Sequence, residues 1–117
     1  MIVVYGIPNC DTVKKARAWL AERGVEHRFH DFKKEGVHAG RLPAWLAAAG
    51  WGTLVNRKGT TWRKLAPADQ AAVQDDASAQ ALMLREPSVI KRPVVEWDDG
   101  ITVGFDPAAW EARAARA

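Results

Sequence analysis

The sequence predicts one α/β domain in which a β-α-β unit is followed by a helical insert and then a β-β-α unit. Three observations predict this order. The apolar, largely β-branched run at residues 2–5 is typical of a buried central strand. Apolar residues then recur at helical spacing over residues 11–23. Finally, Asp98-Asp99-Gly100 between two apolar runs is a strong hairpin signal.

The first unit reaches to residue 32. Gly24 follows the amphipathic segment at the position of a helix C-cap. Residues 25–32 then resume a strand-like pattern of mixed polarity, which predicts a less buried strand. Two strands joined by one helix are expected to be parallel, with a right-handed crossover.

The segment from about 40 to 86 is predicted to be the helical insert, entered through a polar loop of residues 33–40. Its helical patterns cover residues 41–49, residues 67–73, and the stretch from a cap at Asp75 or Asp76 to the residue before Pro87. Residues 51–64 lie between them and are expected to be irregular and basic.

The last unit contains the hairpin, with strands predicted over residues 94–97 and 101–105, and a final helix that begins at Asp106-Pro107. No linker or repeat separates these segments. Residues 1–117 are therefore predicted to be a single domain that includes the insert.

Cysteine usage and hydropathy limit the compartment. Cys10 is the only cysteine, so no internal disulfide can form and a reducing compartment fits best. The N-terminus lacks the basic region and apolar length of a signal peptide, and no apolar run approaches the ~20 residues of a membrane span. We expect a cytoplasmic protein with no membrane contact.

The net charge of +3 does not indicate a nucleic-acid binder. Basic residues form two short groups, at positions 14–17 and 57–64, and acidic residues interrupt the rest, whereas nucleic-acid binders carry a continuous basic stripe. The six tryptophans are scattered in apolar contexts, so we interpret most of them as packing residues.

No metal site is predicted. His27 and His30 lie three apart on a predicted strand and therefore project to opposite faces. His38 has no cysteine or carboxylate partner at ligand spacing, and no glycine-rich phosphate loop is present.

Cys10 itself is the candidate nucleophile. It stands at the start of the predicted first helix, where free backbone N–H groups and the helix dipole favour a thiolate over a thiol. The alternative is a buried cysteine that acts as a small apolar residue. The polar neighbours Asn9 and Asp11 argue against burial in a dry core.

A cysteine of this kind after the first strand of a βαβ + ββα chain resembles the thioredoxin fold. The run Tyr5-Gly6-Ile7-Pro8-Asn9-Cys10-Asp11-Thr12-Val13-Lys14-Lys15-Ala16, with Lys91-Arg92-Pro93-Val94-Val95 and Trp62-Arg63-Lys64-Leu65, resembles the ArsC/Spx family. That family comprises arsenate reductases, Spx-type regulators and small reductase-like proteins. The resemblance covers essentially the whole chain.

The resemblance implies a role for Arg92 and Pro93. In thioredoxin-like folds the proline before the third strand is typically cis and lies beside the cysteine, which would put Arg92 next to the sulfur. Its guanidinium could then grip an oxyanion or stabilise the thiolate. The alternative is an ordinary surface arginine.

Departures from the family pattern bear on substrate. Arsenate reductases of this type bind arsenate with three arginines. Arg92 matches one of them, but Asn56 stands at the second position, with Arg57 next to it, and Phe105 stands at the third. Weak or no arsenate reduction is expected. Spx-type regulators often use a Cys-x-x-Cys switch, whose second thiol is replaced by Val13.

The resemblance therefore indicates a monothiol reductase that uses glutathione, and possibly glutaredoxin, with no bound cofactor. Cys10 is the expected nucleophile, and Lys14, one turn further along the helix, is a candidate thiolate partner or simply a solvated lysine. The expected ligands of the substrate or of glutathione are Asn9, Asp11, Thr12, Lys14, Arg57, Arg92 and Pro93, the helix-start amides of Asp11 and Thr12 included. The alternatives are an Spx-like regulator that contacts RNA polymerase without catalysis, and an arsenate reductase.

Overall fold

The computed structural model of the protein describes residues 1–116. Its strands are β1 (Ile2–Gly6), β2 (His27–Asp31), β3 (Val94–Trp97) and β4 (Gly100–Val103). Its helices are α1 (Asp11–Glu22), α2 (Phe32–Glu35), α3 (Leu42–Ala49), α4 (Trp51–Leu54), α5 (Thr60–Arg63), α6 (Pro67–Ala71), α7 (Asp76–Arg85) and α8 (Pro107–Arg116). Short 3-10 turns occupy Ala39–Arg41 and Pro87–Val89.

The chain divides into two compact units. The first contains Met1–Glu35 and the chain from Arg92 onward, and the second contains Gly36–Lys91. The predicted insert of residues 40–86 falls inside the second unit. The assignment of residues 1–117 to a single domain stays a prediction.

A four-stranded mixed sheet in the order β2-β1-β3-β4 forms the first unit. β1 and β2 are parallel, with Val4 beside Phe29, as the βαβ pattern predicts. β3 is antiparallel to both β1 and β4. The hairpin turns at Asp98-Asp99, and Trp97 pairs with Gly100. The predicted α/β class with a mixed sheet is confirmed.

The core of this unit lies where α1 and α8 cover one face of the sheet. The buried residues of this cluster come from β1, β3, α1 and α8: Ile2, Val4, Ala16, Trp19, Leu20, Val95, Trp97 and Trp110. Trp110 is 1% exposed and makes edge-to-face contacts with Trp97, at 5.0 Å between ring centroids, and with Trp19, at 5.7 Å. Such contacts add to the free energy of burial. The prediction that most tryptophans are packing residues is confirmed.

The second unit is helical, and its middle is joined to its C-terminal end by backbone pairing. Val55 and Ile90 form an isolated antiparallel bridge, and the amide of Asn56 donates to the carbonyl of Val89 at 2.8 Å. Asp75 is the N-cap of α7, with a reciprocal capping box to Ser78. Of the two predicted caps, Asp75 and Asp76, the structure therefore has Asp75.

Two stretches expected to be irregular contain helices. Residues 51–64 hold α4 and α5, and the predicted loop of 33–40 begins within α2. Each of these helices is a single turn of four residues, so hydrophobic periodicity could not reveal it. α2 is instead fixed by its ends: Phe32 is buried, and the Asp31 carboxylate accepts the amide of Lys33 at 2.9 Å.

Within residues 1–116, every helix is too short or too polar to cross a membrane.

Candidate active site

Cys10 lies beyond the carboxyl end of β1, at the N-cap of α1. Its backbone is extended, with φ −90° and ψ 123°, as is usual for a cap residue. Its amide donates to the carbonyl of Ile7 at 3.2 Å, which closes the turn after β1. Its carbonyl accepts the amide of Lys14 at 2.9 Å, which begins the helix. The side chain is partly exposed, so the reactive interpretation fits better than a cysteine in a dry core.

Gly6 allows the first turn of α1 to approach the sheet closely. A Cβ atom on Gly6 would lie 2.8 Å from Cγ2 of Val13, well inside carbon–carbon contact distance. Val13 is fully buried, and its β-branched side chain has few rotamers. The glycine at the end of β1 therefore fixes where the start of α1, and with it Cys10, can lie.

The surroundings of the sulfur favour the thiolate. Partial burial raises the pKa of the Cys10 thiol, but the N–H of Val13, the Arg92 guanidinium and the N–H of Thr12 together outweigh this effect, so the pKa lies below its ordinary value. Arg92 acts both as a hydrogen-bond donor and through its positive charge. The Cys10 side chain makes no regular capping hydrogen bond, because sulfur is a weak acceptor of N–H groups.

Strand pairing brings Arg92 to the cysteine. The antiparallel register pairs Tyr5 with Val94, so the residues before β3 run beside the turn that follows β1. The Arg92-Pro93 peptide bond is cis, as the family resemblance implies, and Pro93 is buried. The Pro93 carbonyl accepts the amide of Gly104 at 2.8 Å, which ties this segment to the chain after β4.

The amide donors differ by one residue from those expected. The sequence predicts anion binding by the amides of Asp11 and Thr12, whereas the amides that lower the pKa of Cys10 are those of Thr12 and Val13. An N-cap side chain faces the second and third amides of its helix, and Cys10 as N-cap makes these Thr12 and Val13. The signal was therefore present in the sequence. Asp11 and Asn9 are exposed beside the thiol.

Lys14 is not among the groups that shift the pKa of Cys10. Its exposed side chain lines a groove with Pro8, Arg17 and His27. The helical one-turn rule holds between two residues of the same helix, but the backbone of Cys10 is extended. That Lys14 stabilises the thiolate stays a prediction, with a solvated helix lysine as its alternative.

The other two positions of the arsenate-binding pattern have local structural roles. Asn56 closes a turn, because its carboxamide oxygen accepts the amide of Lys58 at 3.2 Å. Phe105 packs edge-to-face on Trp110 at 4.8 Å between ring centroids. Arg57, in the second unit, has its guanidinium carbon 5.7 Å from the ring centroid of Trp51. That Arg57 converges on Cys10 stays a prediction.

The histidines of β2 face opposite sides of the sheet, as predicted. His27 pairs with Ile2 and His30 with Tyr5, which are three residues apart on β1. His30 is buried and packs on the Tyr5 ring at 4.9 Å between centroids. Over residues 1–116 no three histidine, cysteine or acidic side chains cluster as metal ligands would.

Comparison with known proteins finds a matching family model and similar solved structures. The family model described as the ArsC family matches residues 5–113. A solved structure titled as the YFFB protein is 49% identical, with a TM-score of 0.93, and the match covers 97% of this chain and 99% of that one.

Two further relatives carry functional names. An arsenate reductase (ArsC) related protein from Brucella melitensis is 51% identical, with a TM-score of 0.74, over 95% of this chain and 92% of that chain. The global transcriptional regulator Spx of Enterococcus faecalis is 27% identical over 109 residues, which is 91% of this chain and 80% of the regulator.

Proposed function

Because the chain belongs to the ArsC family, we propose that it is a glutathione-dependent thiol reductase that works through the single cysteine Cys10. Family membership and the similarity to an arsenate reductase related protein support a function of the thiol reductase type. Glutathione as the co-substrate, the single-thiol mechanism and a cytoplasmic location are the proposed parts.

The observation that carries the proposal is the environment of the Cys10 sulfur. Two backbone amides and the Arg92 guanidinium favour the thiolate, and the thiolate is the nucleophilic form. Because the side chain is only partly buried, a disulfide substrate can reach the sulfur.

Thiol exchange at one cysteine accounts for a complete cycle. The Cys10 thiolate attacks one sulfur of a disulfide substrate, so a mixed disulfide forms and the other half of the substrate leaves as a thiol after taking up a proton. The thiolate of a first glutathione attacks the Cys10 sulfur of the mixed disulfide, so the second half of the substrate leaves as a thiol and Cys10 is left glutathionylated. The thiolate of a second glutathione attacks the glutathione sulfur on Cys10, which releases oxidised glutathione and regenerates the Cys10 thiolate. The two glutathione molecules supply the two electrons.

Some of the proposed ligands act on the reacting sulfur atoms, and the others contact the rest of the bound glutathione. Arg92 and the amides of Thr12 and Val13 act on the attacking or leaving sulfur, since all three already act on the Cys10 sulfur. Asn9 and Asp11 are exposed beside the thiol, within reach of a bound tripeptide. Arg57 is the proposed ligand supplied by the second unit. Glutaredoxin is a proposed partner that would remove glutathione from Cys10.

Incubation with oxidised glutathione tests this function. Mass spectrometry is expected to find one glutathione on the wild-type chain and none on Cys10→Ser, whose circular dichroism should match that of the wild type. Rapid alkylation of Cys10 below pH 7 is expected in parallel. A serine variant with full reductase activity, or a wild-type chain that forms no adduct and reacts with iodoacetamide only near pH 9, contradicts the proposal.

A non-catalytic regulator is the second candidate, favoured by the similarity to Spx over 91% of the chain. It predicts RNA polymerase binding that survives Cys10→Ser and an alkylation profile of an ordinary thiol. Arsenate reduction is the weaker alternative, because Phe105 packs on Trp110 and Asn56 closes a turn where two anion ligands are expected.

A further inference from the structure

A groove runs along α1 on the side that faces β2, and it begins next to the turn that holds Cys10. It is an open groove of about 370 Å³, a volume within the range of small-molecule sites. Its lining is Pro8, Lys14, Arg17, Ala18, Ala21 and His27. All six belong to the same compact unit as Cys10. The groove thus combines small apolar side chains with two permanent cations.

Arg17 is held in place without an acidic partner. Its guanidinium carbon lies 4.3 Å from the ring centroid of Phe29, on β2, a cation–π contact. Other arginines of this unit pair with carboxylates: Arg23 with Glu111 at 2.8 Å, and Arg116 with Asp99 at 2.7 Å. No such pair occurs for Arg17, nor for Lys14, within the described part of the chain. The stacked guanidinium therefore keeps N–H groups for an external anion.

The distance along the helix matches the length of one arm of glutathione. Glutathione joins Cys10 through the sulfur of its central residue, so each of its arms covers about two residues, or about 7 Å. From Asp11, the first residue of α1, the rise along the helix is about 5 Å to Lys14 and about 9 Å to Arg17. One arm of a glutathione attached to Cys10 can therefore place a terminal carboxylate near the Lys14 and Arg17 side chains.

We propose that this groove binds one end of glutathione, with a terminal carboxylate held by Lys14 and Arg17 while the cysteinyl sulfur lies at Cys10. The inference rests on the proposed function and assigns Lys14 to the co-substrate instead of to the thiolate. In the step concerned, the Cys10 thiolate attacks oxidised glutathione, the new S–S bond forms as the old one breaks, and one glutathione thiolate leaves and takes up a proton.

The test compares a charged disulfide with an uncharged one. Oxidised glutathione carries carboxylates and bis(2-hydroxyethyl) disulfide carries none. The double variant Lys14→Gln/Arg17→Gln is expected to form the glutathione adduct about fivefold more slowly, because it lacks two partly exposed ion pairs. Its rate with the hydroxyethyl disulfide should stay within about twofold of the wild-type rate. Lys15→Gln, which removes an exposed charge of α1 outside the groove, is the matched control and should behave as the wild type.

A second measurement separates the groove from the thiol chemistry. S-methylglutathione has no free thiol and cannot form a disulfide. In NMR spectra of the wild type it is expected to shift the backbone amide resonances of residues 17 and 18. The same addition to the double variant should leave these resonances unchanged. Amide shifts without any adduct would refute the reductase and support the groove. Adducts whose rate is unaffected by the double variant, equal slowing with both disulfides, or the same loss in Lys15→Gln would overturn the groove. Absence of both adducts and shifts would overturn both proposals.

Discussion

Replacement of Gly6 by alanine should disturb both the stability and the thiol of this protein. The new Cβ atom would lie 2.8 Å from Cγ2 of Val13, whereas carbon atoms in contact prefer about 3.5–4.0 Å. Val13 is fully buried and stiff at its first torsion, so the clash must move the start of α1.

The size of the effect follows from this overlap. Overpacking of a core costs about 1–3 kcal/mol, and alanine recovers about 0.4–1 kcal/mol by restricting the unfolded chain. We therefore expect Gly6→Ala to lower the free energy of unfolding by about 1–2 kcal/mol. In a chain of this size that lowers Tm by about 4–8 °C.

Val13→Ala supplies the matched rescue. Alone it should cost about 2 kcal/mol, because it removes two buried methyl groups. In the double variant the nearest Val13 atom to the new Cβ is Cβ itself, at 3.7 Å, an ordinary contact. The double variant should therefore be more stable than the sum of the single effects predicts, by at least about 1 kcal/mol, since neighbouring sites couple.

Urea unfolding of the four proteins measures this coupling, and iodoacetamide alkylation at pH 6 measures the thiol. Gly6→Ala should slow alkylation because it displaces the Val13 amide that favours the thiolate. Additive free energies, or an alanine variant as stable and as reactive as the wild type, would refute the role given to Gly6.

Three further outcomes are expected. Arg92→Ala should slow alkylation of Cys10 at pH 6 by about fivefold. The reason is that a charged hydrogen bond of ~1.5–3 kcal/mol is reduced to about 1 kcal/mol by solvent screening. Arg92→Lys should restore part of the rate, and equal rates in the wild type and both variants would contradict the contact between Arg92 and Cys10. The pKa of Cys10 is lower in the folded state than in the unfolded state. Between the folded pKa and the unfolded pKa of about 8.5, the unfolded state therefore binds more protons. The free energy of unfolding should rise with pH across this range and fall as the pH drops through the folded pKa. Urea midpoints that rise equally in Cys10→Ser would contradict this assignment. Arsenate turnover with glutathione and glutaredoxin should be weak, because Asn56 and Phe105 stand where two anion-binding arginines are expected. Robust turnover would show that a basic residue elsewhere in the chain completes the anion site.

The sequence by itself determined the elements that are long or strongly patterned. β1, α1, α7 and the β3–β4 hairpin lie where their periodicity, caps and turn residues predict them. These signals are local, because each depends on residues within one or two turns of each other. The one-turn helices α2, α4 and α5 were not predicted, because four residues are too few to show a hydrophobic period.

The position of Cys10 at the start of α1 was also a local property, and so in principle were its amide donors. Identification of Cys10 as the N-cap is sufficient to name Thr12 and Val13.

Tertiary structure decided the rest of the site, of which the family resemblance implied only the position of Arg92. The register of β1 against β3 brings Arg92 to the sulfur, and the sheet places Phe29 under Arg17. Both contacts join residues on different elements, so no local pattern encodes them. The sequence supplies the thiol and the cations, but the pairing of distant strands and the packing of α1 on the sheet decide which cation acts on the thiol and which remains available for a ligand.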